Sequence, residues 1–272
     1  METTKDERPT DELVGQVLEL NSEEDGYWDI LTVLWRRATT DTLSRARQLC
    51  ASPNASERKL GADVLGQLGT KPDVLHEERL ELLLALLSRE TEPDVLAAAC
   101  IGLSHLYDPK ADGLIIRLKG HPDEDVRYSV AVGLTGDPDD IVTATLIELS
   151  ADVASDVRDW ATFRLGMMEA APPEVLDALV ERVADEDEDT RAEAIVGLSR
   201  RKDQRALEPL IECLNQLKAG ESQGYDYAEG LLYEAAAELE NPRLCPALLK
   251  LESRTAVYGS LSDAIVKCGC NQ

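Results

Sequence analysis

Apolar residues recur along this chain at intervals of three and four, as in Leu80, Leu83, Leu84 and Leu87. That spacing puts side chains on one face of an α-helix. The helical stretches come in pairs. In one pair the first helix covers about 141–150, with Leu146 and Leu149 on one face. A short loop, 151–155, follows, and the second helix runs to about Met167. The second helices share a heading: Asp94, Asp125, Asp156, Asp189 and Asp226 each open one, at spacings of 31, 31, 33 and 37 residues. Arg127, Arg158 and Arg191 stand two residues behind three of them. Leu103, Leu134, Leu165 and Leu198 stand nine residues behind the first four. A two-helix period of about 30–40 residues marks a repeat solenoid, in which no unit buries its apolar face alone. The fold class expected is all-α, a right-handed α-α superhelix.

An aspartate before a helix accepts a hydrogen bond from a free backbone N–H, and its charge complements the helix dipole. Asp94, Asp125, Asp156 and Asp189 are therefore read as N-caps. The units drawn this way are a helix pair over about 10–38, then pairs over 41–69, 75–107, 110–135, 139–168, 172–201, 203–239 and 242–268. Ser56 takes the aspartate's place in the second of these. The organisation expected is one continuous domain: an N-terminal helical cap, 1–40, a repeat region, 41–268, and a tail, 269–272.

Only 4% of residues are aromatic against 43% hydrophobic, so the core is built from Leu, Ala, Val and Ile. The charge balance is lopsided, 28 basic against 53 acidic residues, a net −25. Nucleic acids and anionic membranes are held mainly by Lys and Arg, so neither is an expected partner. A basic protein is. Met1 to Thr10 holds no apolar run of the signal-peptide kind, and Leu80 to Leu87 is too short to span a membrane. A reducing cytoplasm is expected, with Cys50, Cys100 and Cys213 as buried thiols.

The repeated element resembles the HEAT repeats of the phycobilisome-lyase type over about 41–268. The likeness is carried by Asp125-Val126-Arg127 with Ala131 and Leu134, by Asp156-Val157-Arg158 with Leu165-Gly166, and by Asp189-Thr190-Arg191 with Ala194 and Leu198. It implies a ladder in which aspartates and Arg127, Arg158 and Arg191 link neighbouring units. It also allows a bilin lyase or isomerase activity, or a general scaffold. Over about 150–240 the chain is similar to bacterial lyase-like HEAT proteins encoded beside Rhs-type polymorphic toxins. That resemblance implies an immunity protein that binds and blocks a toxin domain.

The resemblance further implies that the second helices line the concave side. With Val126 as origin, Val126, Arg127, Val130, Ala131 and Leu134 fall within an arc of about 140°, the packed face. The opposite face is the candidate protein-binding surface. It is expected to carry Ala97, Ala98, Ile101 and His105, then Tyr128, Ser129 and Val132, then Asp159, Trp160, Phe163 and Met167, then Glu193, Val196 and Arg200, and last Glu229 and Tyr233. Aromatic and methionine anchors ringed by acid have the make-up of a binding hot spot.

Catalytic chemistry finds little support. The iron-dependent HEAT enzyme deoxyhypusine hydroxylase needs several His-Glu pairs, and His76-Glu77 is the single pair here. The run 185–189 alternates aspartates like a calcium loop, but Thr190 and Val196 replace the required Gly and Glu. Cys245 with Cys268-Gly269-Cys270 matches no standard zinc spacing. There is no glycine-rich phosphate loop and no legible nucleophile triad. The protein is expected to be no enzyme and to hold no cofactor or metal.

Overall fold

The computed structural model describes residues 6–20, 25–69, 71, 73–134, 140–169, 171–217, 227–251 and 260–270. It comprises two compact units, 1–137 and 138–272. Among the described residues all regular structure is helical.

The first unit contains α1 (Thr10–Glu19), α2 (Asp25–Arg37), α3 (Thr40–Cys50), α4 (Ala55–Gln67), α5 (His76–Leu87), α6 (Pro93–Ser104), a short α7 (Asp112–Ile115) between 3-10 turns, and α8 (Glu124–Gly133). The second contains α9 (Asp140–Leu149), α10 (Ser155–Met167), α11 (Pro173–Arg182), α12 (Glu188–Ser199), α13 (Leu207–Gln216), α14 (Tyr227–Leu239), α15 (Cys245–Leu251) and α16 (Ser260–Lys267). A helix pair stands in each interval that the periodicity marks out. Within a unit the second helices stack in order. α4 packs on α6 and α6 on α8; α10 packs on α12, α12 on α14 and α14 on α16.

Glycine sets how closely these helices approach. A Cβ on Gly66 would lie 2.8 Å from the Gly102 Cα, and one on Gly197 would lie 2.8 Å from the Gly166 Cα. Each crossing is thus backbone against backbone, with no room for a methyl group.

The helix starts differ from the sequence reading. Asp94, Asp125, Asp156 and Asp189 are not caps but lie in the first turn, at the second helical residue. The cap positions belong to Glu92, Asp123, Ala154 and Asp187. The Asp123 Oδ1 accepts from the N–H groups of Asp125 and Val126 at 3.0 and 3.3 Å, and the Asp187 Oδ1 accepts from Thr190 at 2.9 Å. Where acids stand two apart, as in 123–125 and 187–189, the one with extended backbone takes the cap. The other still places its charge at the positive end of the helix dipole. Asp226 lies outside the described residues.

The arginines do form links, with other partners than expected. Each sends one guanidinium nitrogen to two carbonyls of the loop before its own helix. Arg127 binds His121 and Pro122 at 2.9 and 3.2 Å, Arg158 binds Asp152 and Val153 at 3.0 and 3.2 Å, and Arg191 binds Asp185 and Glu186 at 2.5 and 3.1 Å. Arg58 does the same to Ser52 and Pro53. Among the described residues, Arg58 and Arg158 are seen to reach on to the next loop. Arg58 forms a fork on Glu90, and Arg158 forms one on Asp185, with Nη2 to Oδ1 at 2.8 Å. The acids that receive these two forks are therefore loop residues, Glu90 for Arg58 and Asp185 for Arg158. Burial disfavours the Asp185 charge, but hydrogen bonds from Arg158 and the Asp187 N–H outweigh it and hold the carboxyl below its usual range.

A buried arginine also closes a helix end. Arg79, 1% exposed, donates to the carbonyls of Leu65, Gly66, Lys71 and Val74. It satisfies the free acceptors that end α4. Cys50 and Cys100 are buried thiols and Cys213 is half-buried. Cys245 and Cys270, read from the sequence only as a poor metal pair, form a disulfide with Cα atoms 5.1 Å apart.

Candidate functional site

In the second unit α10 presents Asp159, Trp160, Phe163 and Met167 along one side. The Trp160 and Phe163 ring centroids are 5.5 Å apart, both side chains are half-buried, and Met167 is 53% exposed. Glu193, Val196 and Tyr233 do not join them as surface residues. They are 1%, 0% and 2% exposed. The wheel assumed one packed face per helix, but α12 lies between α10 and α14 and also packs on α11. Every residue from Ala192 to Ser199 is consequently buried. Ser129 and Ala98 in the first unit are buried as well.

The buried Glu193 has unusual electrostatics. One oxygen accepts from the Tyr227 hydroxyl, while Oε2 has no hydrogen-bond partner among the described residues. The Oδ1 of Asp159 is in the same position. Burial pushes the Asp159 carboxyl up to about 7, aided by the charges of Glu193, Asp189, Asp187 and Asp156. Burial raises Glu193 as well, against the hydrogen bond from Tyr227. The Tyr233 hydroxyl donates to Glu229 at 2.6 Å. Arg200 pairs with Glu234 at 2.7 Å.

The first unit holds a cleft of about 390 Å³. Its apolar floor includes Trp28, Trp35, Ala97, Ile101 and Tyr128. Trp28 is 47% exposed; its ring lies 5.2 Å from that of Tyr27 and 6.4 Å from that of Trp35. Asp63 anchors the inner wall. Its side chain accepts from the Tyr27 hydroxyl at 2.7 Å and pairs with Lys59 at 2.8 Å, and its carbonyl accepts from the Trp35 indole. Lys59 lies over the Tyr27 ring, 5.5 Å from its centroid. Burial, with Arg79 adding its charge, lowers the His105 pKa and favours the neutral ring. Asp94 and Asp125 complete the lining.

Of the residues singled out from sequence, Tyr128 thus lines the cleft of the first unit, and the α10 group belongs to the second. Trp28 and Trp35 were missed. Their signal was present, since two of the three tryptophans stand seven apart in one helix, but that helix was read as an end cap. Arg58 was missed too, although it stands two residues behind Ser56 as the other arginines stand behind their aspartates.

Among the described residues no group of three or more His, Cys, Asp or Glu side chains is placed to hold a metal ion. Nor is any helix there long and apolar enough to cross a membrane.

An all-α stack of helix pairs with a repeated arginine clasp defines a helical-repeat solenoid. The family model described as HEAT repeats matches residues 80–166 and 142–219. The chain is 30% identical over 223 residues to the protein YibA of Escherichia coli strain K12, covering 79% of this chain and 76% of YibA. It is equally similar to YibA of strain O157:H7. The chain belongs to the HEAT-repeat family. An X-ray structure of E. coli YibA superposes with a TM-score of 0.71 at 24% identity, covering 98% of this chain and 99% of that one. An engineered protein superposes with a TM-score of 0.54 at 17% identity, covering 94% and 77%.

Proposed function

We propose that this protein is a non-catalytic binder of a basic protein, and that the partner is a toxin domain neutralised in the cytoplasm. The observation that carries the reading is the side of α10. There an exposed Met167 and the adjoining rings of Trp160 and Phe163 stand beside Asp159 in a chain of net charge −25. Apolar anchors supply residence, and an acidic field speeds capture of a basic surface. A toxin acting on nucleic acid holds the phosphates mainly with Lys and Arg, so the surface that holds its substrate also suits this protein. Fast capture is what neutralisation requires.

The test is to read the neighbouring gene and, where it encodes a basic toxin domain, to co-express the two, following growth and complex formation together; a neighbour that encodes no toxin counts against the reading. Relief of growth inhibition with a stable complex supports the reading. A complex in which the toxin keeps full activity makes this protein a scaffold and refutes it. Within the complex, Trp160→Ala speeds dissociation and costs about 2 kcal/mol or more. Raised salt slows association, because exposed charges are screened beyond about 10 Å at 0.1 M.

A further inference from the structure

The cleft of the first unit combines features that call for one kind of guest. Its floor is aromatic and aliphatic. Asp94 and Asp125 are both exposed, and among the described residues no cation or hydrogen-bond donor meets either carboxylate. They occupy the first turns of α6 and α8, at positions where they are not needed as caps. The basic residues lining the cleft leave that charge unanswered. Lys59 is already held by Asp63, and burial disfavours the charged form of His105. Lys59 shows the chemistry the walls support, an ammonium lying over Tyr27 with its charge met by a carboxylate.

We infer that the cleft receives an arginine side chain from a basic protein partner. The guanidinium lies against the exposed face of Trp28, and Asp94 and Asp125 meet its charge. An arginine suits these walls better than a lysine. Its planar head stacks on an indole and is weakly hydrated, while its three methylenes cover apolar floor. A purely apolar guest would leave the two carboxylates unpaired, so charge complementarity decides the occupant. This inference rests on the reading of the partner as a basic protein, but it concerns residues of the first unit, whereas the α10 group belongs to the second.

The probe is the tripeptide Gly-Arg-Gly, blocked at both ends, titrated into the full chain with the indole N–H signals followed by NMR. A single cation avoids the general attraction that a polybasic peptide has for a chain of this charge. The result expected is a saturable shift of Trp28 and Trp35 with Trp160 unmoved. Blocked Gly-Leu-Gly should give no such shift, and Asp94→Asn with Asp125→Asn should weaken it roughly fivefold or more. Both aspartates are exposed, so this variant folds, and Trp160 serves as the internal check.

Equal shifts at Trp160, or equal binding of Gly-Leu-Gly, overturn the inference. So does concentration-dependent self-association that the tripeptide does not compete with, which would make the occupant a second copy. Failure of the broader reading looks different. In that case Trp28 answers the tripeptide while no basic protein binds.

Discussion

Replacing Asp159 by asparagine keeps the side-chain volume and removes the ionisable group. In the folded protein burial and neighbouring acids raise this carboxyl from 3.8 to about 7. A raised acid contributes stability that is fully present below its unfolded pKa, near 4, and is lost as pH climbs through about 7. The wild type therefore sheds stability between roughly pH 4 and pH 8 on account of this one group. A displacement of about three pH units is worth at most about 4 kcal/mol at 1.36 kcal/mol per unit. The group is only part-buried, and solvent screening brings the expectation to about 2 kcal/mol. Asp159→Asn should then be more stable than the wild type by about 2 kcal/mol at pH 8, with the gap closing towards pH 4. Urea denaturation of both proteins at unit steps from pH 4 to 8 measures it. Taking the difference cancels the general repulsion of a chain with net charge −25. A constant gap across the series, or a less stable variant at pH 8, refutes the reasoning that Asp159 is held against its own charge.

Three further perturbations test the frame around this site. Gly197→Ala pushes a Cβ to within 2.8 Å of the Gly166 Cα. It should cost about 1–3 kcal/mol in chemical denaturation, and an unchanged midpoint would mean the helices are not in close contact. Arg158→Ala strips a buried carboxylate of its fork and should cost about 3 kcal/mol, the low end of the range because Arg182 also reaches Asp185 at 3.4 Å. Adding Asp185→Ala should recover part of that loss; additive losses would argue against the pair. Asp187→Ala removes a cap and should cost about 0.5–2 kcal/mol, whereas Asp156→Ala removes only a first-turn charge worth about 0.3–1 kcal/mol. The reverse ranking, read by thermal melts, would restore the aspartate headings as caps.

The helix pairs were legible because they rest on local rules. The three-and-four spacing that begins at Leu80 and the regular return of Asp and Arg state the period directly. The caps were misplaced by two residues. A pair of acids such as Asp187 and Asp189 satisfies the same rule, and only backbone conformation chooses between them. The site was harder to read. Trp160, Phe163 and Met167 retain exposure on α10, but Glu193 and Val196 are covered by neighbouring helices that no single-helix projection includes. Asp185 illustrates the same gap. It looked like part of a solvated acidic loop, and its burial depends on an arginine 27 positions earlier in the chain. The Trp28 cleft draws its walls from α2, α4, α6 and α8, and no one segment announces it.

The stagger of Arg158 and Asp185 bears on how such a chain changes length. The base of the pair belongs to one helix pair and the acid to the loop of the next. Where a period carries both members of the ladder, deleting it removes one arginine and one acid, and the arginine upstream can then meet the acid downstream. Such a period can be lost by recombination without stranding a charge, whereas loss of the period that holds Glu90 would strand Arg58. A stop codon has no such freedom. Cutting the chain after α10 would leave Arg158, whose side chain is 7% exposed beside its partner, with no carboxylate to face. Lineages descended from this gene are thus expected to gain or lose periods from the middle, and to keep their last ones.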